Sequence, residues 1–158
     1  MKMMTAKDVM NPTVITVGDT MTTQEVAAFL IEREISGAPV VDELGRLVGV
    51  VSITDIARVA AASLDEVDHR SVSDFYRPDP GDPPTLEDYG QRYVEEHGLN
   101  IRDVMNPTVH AVDEDTKLAE VARVMIEGHL HRLLVTRGTD FVGIVTTMDL
   151  LRVIARQK

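Results

Sequence analysis

The sequence predicts a mixed α/β (α+β) fold built from two β-α-β-β-α repeats related by a pseudo-twofold axis. Three observations carry that expectation. The string DVMNPTV stands at residues 8–14 and again at 103–109, 95 positions on. A fixed internal period is the mark of a repeated structural unit. The match then runs on for some 50 residues, with the offset falling to 94 after one residue is lost between DELGR and RGTD. A turn tolerates such a loss. Each copy also sets apolar residues at helical spacing between short apolar runs of strand length.

The elements follow in order. Residues 6–10 and 101–105 read as short helical turns, which stop because Asn11 and Asn106 precede prolines and are pushed out of the helical region. TVITV and TVHAV read as the first strands. Thr22 and Glu25 have capping-box spacing and open a helix. Val26, Ala27, Leu30 and Ile31 form its apolar face, as Val121, Ala122, Met125 and Ile126 do in the second copy. APVVD and LVGVVS are paired strands around Gly45, matched by LLVT and FVGIVT around Gly138. A last helix begins near Asp55 and near Asp149. Each half is about 50 residues, small for an independent domain, so the two are expected to share a core.

The organisation is therefore residues 1–60 as the first repeat, 61–100 as an insertion and 101–158 as the second repeat. The insertion is a different kind of sequence. It holds ten acidic residues against three arginines, a net −7 that leaves only −3 of the chain's −10 for the rest. SDFYRPDPGDPP is turn-rich and extended. Thr85 with Asp88 can cap a helix running to about residue 97, with Gly98 as its stop. Four of the six aromatic residues lie here, at Phe75, Tyr76, Tyr89 and Tyr93. Either the insertion is a solvated linker, or its aromatics pack over a cleft or on a partner subunit, the reading their concentration favours.

Composition narrows the function. The chain has 158 residues and is 44% apolar, enough for a real core. It has no cysteine, so thiolate metal sites and disulfides are excluded. The N-terminus has no secretory h-region and no run approaches membrane-spanning length. These features fit a cytoplasmic protein. The acidity argues against a nucleic-acid or anionic-membrane surface. The motifs of nucleotide hydrolysis, serine hydrolysis and zinc proteolysis are missing, and nothing suggests catalysis. His129 and His131 are two apart, with no carboxylate to complete a metal site.

The tandem pattern V-M-x-P, P-V-V-D and G-h-h-S/T-x-x-D-h resembles a pair of CBS domains, also called a Bateman module, over about residues 6–60 and 101–155. The resemblance implies a sensor that binds an adenosine-containing ligand between its repeats and associates as a homodimer. The AMP, ADP and ATP class is the first expectation, with S-adenosylmethionine or NADH also compatible. It further implies an unidentified regulated partner protein. The alternative is a ligand-free dimerisation or interaction module.

Within that resemblance the aspartates Asp55 and Asp149 would accept hydrogen bonds from ribose hydroxyls, with Ser52, Thr54 and Thr146 serving ribose or phosphate at helix starts. Ser, Thr and Asp at a helix start are also ordinary caps, and the two roles are compatible. The copies differ where chemistry would lie. Where the first copy has Ser36-Gly37 the second has His131-Arg132, and where the first has Thr54 the second has Met148. The His-Arg pair resembles one that faces phosphates in nucleotide-sensing members of the family, and its residue types suit that task. The expected stronger site is Ser52, Thr54, Asp55, His131 and Arg132. The weaker one is Ser36, Thr146 and Asp149. The other reading of His131-Arg132 is a solvated strand end paired with the acidic insertion. Arg58 and Arg152, each three residues after its aspartate, make either a local ion pair or a phosphate contact. The second copy also lacks the proline and aspartate of P-V-V-D, which weakens its expected base pocket.

Overall fold

The opening helical turns form as expected but end one residue earlier, at Val9 and Val104: Met10 and Met105, ahead of the asparagine-proline steps, already have ψ 153°. The computed structural model describes residues 3–61, 73–77 and 99–157. In chain order the elements are α1 (Ala6–Val9), β1 (Val17–Gly18), α2 (Thr23–Glu32), β2 (Gly37–Val41), β3 (Leu47–Ser52) and α3 (Ile53–Ala61). A 3-10 turn (Asp74–Tyr76) follows, then α4 (Ile101–Val104), β4 (Ala111–Asp113), α5 (Leu118–Gly128), β5 (Arg132–Arg137), β6 (Asp140–Thr146) and α6 (Thr147–Arg156). The strands form two three-stranded sheets, ordered β1-β2-β3 and β4-β5-β6. In each, the first pair is parallel and the second antiparallel.

The first strands are shorter than TVITV and TVHAV, pairing only from Val17 and Ala111. The Asn11 side-chain carbonyl accepts the Thr13 N–H at 3.0 Å, and that of Asn106 accepts the Thr108 N–H at 2.9 Å. These local turns hold the residues after each proline out of the ladder. The helices behave as their spacing predicts, with one exception. Thr22 and Glu25 form the capping box of α2, and Val26, Ala27 and Leu30 are buried. On α5, Val121 and Met125 are buried but Ile126 is 74% exposed. Gly45 and Gly138 turn the hairpins at φ +76° and +60°, the left-handed region that suits glycine. The helix expected from Thr85, with Tyr89 and Tyr93, lies outside the described residues. Among the described residues no helix is long and apolar enough to cross a membrane.

The compact units cut across the repeats. One unit is Met1–Val14 with His110–Lys158, which holds Asp149; the other is Ile15–Val109, which holds Asp55. Each repeat thus gives its opening V-M-N-P arm to the body of the other. Five backbone links fasten each arm, and they match pair by pair across the repeat. Ala6 N–H donates to Thr116 and Lys7 N–H to Glu114, while Ile101 donates to Met21 and Arg102 to Asp19. Leu118 N–H donates to Met4, as Thr23 N–H does to Leu99. Asn11 and Ile144 exchange both bonds, at 2.7 and 3.0 Å; Asn106 and Val50 do the same at 2.8 and 3.0 Å.

These contacts explain the glycine of each V-G-V/I segment. A Cβ on Gly49 would lie 2.7 Å from the Asn106 carbonyl oxygen and 2.9 Å from the Met105 sulfur. On Gly143 it would meet the Met10 sulfur at 2.6 Å and the Asn11 carbonyl oxygen at 2.9 Å. Only a bare α-carbon lets the arm approach. The Asp55 unit closes around Val17, Leu30, Val40, Val51, Ile53 and Ile56, with Ile101 and Val104 supplied by its arm. In the Asp149 unit, Leu133, Leu134, Val135 and Val145 are buried together with Ala6 of its arm.

Polar fastenings sit at the same joints. Asp19, nearly fully buried, accepts from the Arg102 guanidinium. Arg137 donates to both carboxylate oxygens of Glu114, at 2.6 and 2.8 Å. That pair holds the Glu114 carboxyl below its usual range and raises Arg137. Because Glu114 ionises more readily when folded, its contribution is complete above the ordinary carboxylate pKa of about 4 and fades as pH falls through the lower folded value. The melting-temperature gap between the parent and Glu114→Gln should therefore narrow as pH drops from neutral to about 3; a constant gap would contradict it. Gly49→Ala and Gly143→Ala should each cost about 1–3 kcal/mol in denaturant unfolding, whereas Gly45 and Gly138 touch no arm. A loss below a few tenths at Gly49 or Gly143 would mean the arm can yield.

Candidate functional site

Each unit carries the same structural corner, where the last strand of a hairpin runs directly into a helix. Ile53 N–H donates to the Ser36 carbonyl at 2.9 Å, and Thr147 N–H to the His131 carbonyl at 3.0 Å. Gly37 lies opposite Ser52 in the ladder, and Arg132 opposite Thr146. The structure therefore brings Ser36 beside Ser52 and Asp55, and His131 with Arg132 beside Thr146 and Asp149. Of the residues expected to form the stronger site, Ser52, Thr54 and Asp55 belong to one unit and His131 and Arg132 to the other.

Both aspartates occupy the third helical position and cap their own helix. Asp149 Oδ2 accepts from Thr146 N–H and from Thr146 Oγ1, both at 2.8 Å, while Thr146 Oγ1 accepts the Asp149 N–H. Arg152 donates to Asp149 Oδ1 at 2.8 Å. In the other unit, Asp55 Oδ2 accepts the Ser52 N–H at 2.9 Å, and Ser52 Oγ accepts the Asp55 N–H at 3.0 Å. Arg58 lies 3.6 Å from Asp55 Oδ1. Both arginines thus make the local pair that their spacing allows. Asp55 is buried at 8% exposure and Ser52 at 2%, while Thr54 and Ser36 are half-buried. His131 is exposed and Arg132 half-buried.

Sequence reasoning missed one participant. The Ser73 hydroxyl, itself buried, donates to Asp55 Oδ2 at 2.6 Å. It fills the place that the Thr146 hydroxyl takes at Asp149. Asp74 adds an ion pair to Arg58 at 3.4 Å. Phe75 and Tyr76 are fully buried and meet edge to face, with ring centroids 5.0 Å apart. The expectation that the insertion's aromatics pack holds for these two. The one available signal was that clustering of aromatics in an otherwise polar stretch; nothing marked Ser73. A cavity of about 440 Å³ also opens beside Asp149, lined by Met4, Asp8, Arg152, Val153 and Arg156 among others. No group of three metal-ligating side chains occurs among the described residues.

Such a corner can bind anions and hydroxyls together. Helix-start N–H groups favour phosphate, and a buried carboxylate accepts vicinal hydroxyls. Comparison with known proteins agrees on the class. The CBS domain family model matches residues 6–62 and 101–156, so the chain belongs to the CBS-domain family and carries a pair of these domains. It is 31% identical over 134 residues to the chloroplastic CBS domain-containing protein CBSX1 of Arabidopsis thaliana, covering 84% of this chain and 56% of that protein. The chain spans about a third to a half of several curated relatives it matches. Among solved structures, the cytosolic domain of the Mg2+ channel MgtE in complex with ATP is 31% identical, with a TM-score of 0.63 over 94% of this chain and 48% of that one. CBSX2 in complex with AMP has a TM-score of 0.66 at 24% identity, covering 96% of each chain, a likeness of fold.

The two caps make a direct test of this geometry. Thr146→Ala removes both a donor to Asp149 and an acceptor for its N–H, and should cost about 1–2 kcal/mol in denaturant unfolding. A loss of only a few tenths would show that the Thr146 hydroxyl is dispensable to the helix start.

Proposed function

We propose that the chain is a regulatory CBS-pair sensor that binds an adenosine-containing ligand of the AMP, ADP or ATP class and passes the signal to a partner protein. The observation that carries this reading is Asp55, a buried carboxylate at the first turn of α3 with helix-start N–H groups beside it. The carboxylate suits ribose hydroxyls, and the N–H groups with the Ser52 and Thr54 hydroxyls suit phosphate. The ATP complex of the MgtE cytosolic domain, at 31% identity, supports the ligand class. His131 and Arg132 are assigned as phosphate donors, and Ser36, Thr146 and Asp149 as a second, weaker site. S-adenosylmethionine and NADH are the other ligands this reading admits. It is a binding role and not a catalytic one, in the cytoplasm.

The same reading has the module acting as a homodimer. Helix α6 buries none of its residues and exposes Met148, Leu151 and Ile154, an apolar row of the kind that a second copy covers. Leu151→Glu should then shift sedimentation from dimer toward monomer, and an unchanged profile would remove this face from the interface.

A second reading, a ligand-free interaction module, is favoured by one observation: both aspartates are already engaged in capping. Calorimetry separates the two. Asp55→Ala should weaken AMP or ATP binding about tenfold or more, since a hydrogen bond to a charged group is worth roughly 1.5–3 kcal/mol. Arg132→Ala should weaken ATP far more than adenosine. If AMP, ADP, ATP, S-adenosylmethionine and NADH all leave the melting temperature of the parent unmoved, the interaction-module reading replaces the sensor.

A further inference from the structure

We infer that residues 73–77 form a built-in competitor for the Asp55 site: a strap that a ligand must displace, so that docked strap and bound ligand exclude each other. The inference rests on the reading of Asp55 as a ligand-binding carboxylate and goes beyond it, because it assigns a regulatory task to the insertion.

The geometry is that of a built contact. Ser73 Oγ donates to Asp55 Oδ2 at 2.6 Å and accepts the Phe75 N–H at 3.2 Å, so one hydroxyl both holds the carboxylate and caps the 3-10 turn. A hydroxyl on that oxygen is what a ribose would supply. Asp74 is held by Arg58 at 3.4 Å and by Arg77 at 3.0 Å. Through Asp74 the strap therefore also engages the arginine that faces Asp55 Oδ1. Next to it, Phe75 lies against Gly37. A Cβ on Gly37 would come within 3.2 Å of the Phe75 ring and 2.6 Å of the Val51 carbonyl oxygen. At the matching position the second repeat has Arg132, and there the hydroxyl on the aspartate comes from Thr146 of the same helix start. The strap thus belongs to one site only, and the difference in sequence between Gly37 and Arg132 falls where its ring packs.

A site closed by its own chain binds ligand more weakly, by the fraction of time the strap is away. Loosening the strap should raise affinity without adding any contact to the ligand. Isothermal calorimetry with AMP and with ATP, on the full chain, is the test. Ser73→Ala and Asp74→Ala should each bind at least several-fold tighter than the parent, and Asp55→Ala should abolish the gain. Hydrogen exchange gives an independent readout: added nucleotide should lower the protection of the Tyr76 and Arg77 amides, which bond to Ser73 and Asp74. If both variants bind no tighter than the parent while Asp55→Ala still weakens binding, the strap is no competitor and the sensor reading stands. If the Tyr76 and Arg77 amides gain protection when nucleotide binds, the strap is a wall of the site and the inference is overturned. If neither the parent nor either variant binds any nucleotide, both readings fall together.

Discussion

Two reciprocal backbone pairs, Asn11 with Ile144 and Asn106 with Val50, hold the structure's most consequential joint. Each joins the arm of one repeat to the last strand in the sheet of the other. Those strands, β3 and β6, lie at sheet edges, and an uncovered edge is an open template for mispairing. The arm covers it. The arm also supplies core residues, Ile101 and Val104 in one unit and Ala6 in the other, so neither unit is complete from one repeat alone. The demand on sequence is narrow: an asparagine-proline step that turns the chain just after the helix, and a glycine opposite it to admit the backbone. Both copies meet it, which is why the most conspicuous identity in the chain lies in DVMNPTV and not at a site.

The same joint sets up the chemistry. β3 and β6 pass directly from the pairing with the arm into the helix starts at Ser52 and Thr146. The aspartates at the third helical position are held first by their own helices, a role any globular protein could use. What distinguishes the two units is the source of the hydroxyl on the carboxylate. Thr146 supplies it locally in one, and Ser73 brings it from 18 residues away in the other. The insertion, with most of the chain's net negative charge, is thereby tied to one corner of a duplicated frame.

The fold was legible because repetition did the work that single-copy patterns do poorly. Strand pairing around Gly45 and Gly138 and the capping box at Thr22 followed from local chemistry. The short first strands were overestimated, because the asparagine turns that delay pairing use side-chain bonds that alternation does not reveal. Ile126 sits at helical spacing with a core face yet is exposed, since periodicity marks a face without saying how far around the helix the covering extends. The candidate aspartates were legible from the S/T-x-x-D spacing. The exchange of arms was not, because two nearly identical arms carry no mark of which sheet each joins. Nor was Ser73, whose role depends on a tertiary approach to a residue remote in sequence.

Residue-resolved hydrogen exchange of Ala6→Asp tests whether the repeats exchange their arms. Ala6 belongs to the first repeat by sequence but is fully buried in the unit that holds Asp149. A carboxylate there should strip protection from β5 and β6, the strands of the second repeat, and leave β2 and β3 protected. Loss of protection confined to β2 and β3 would mean that each arm serves its own repeat and that no exchange takes place.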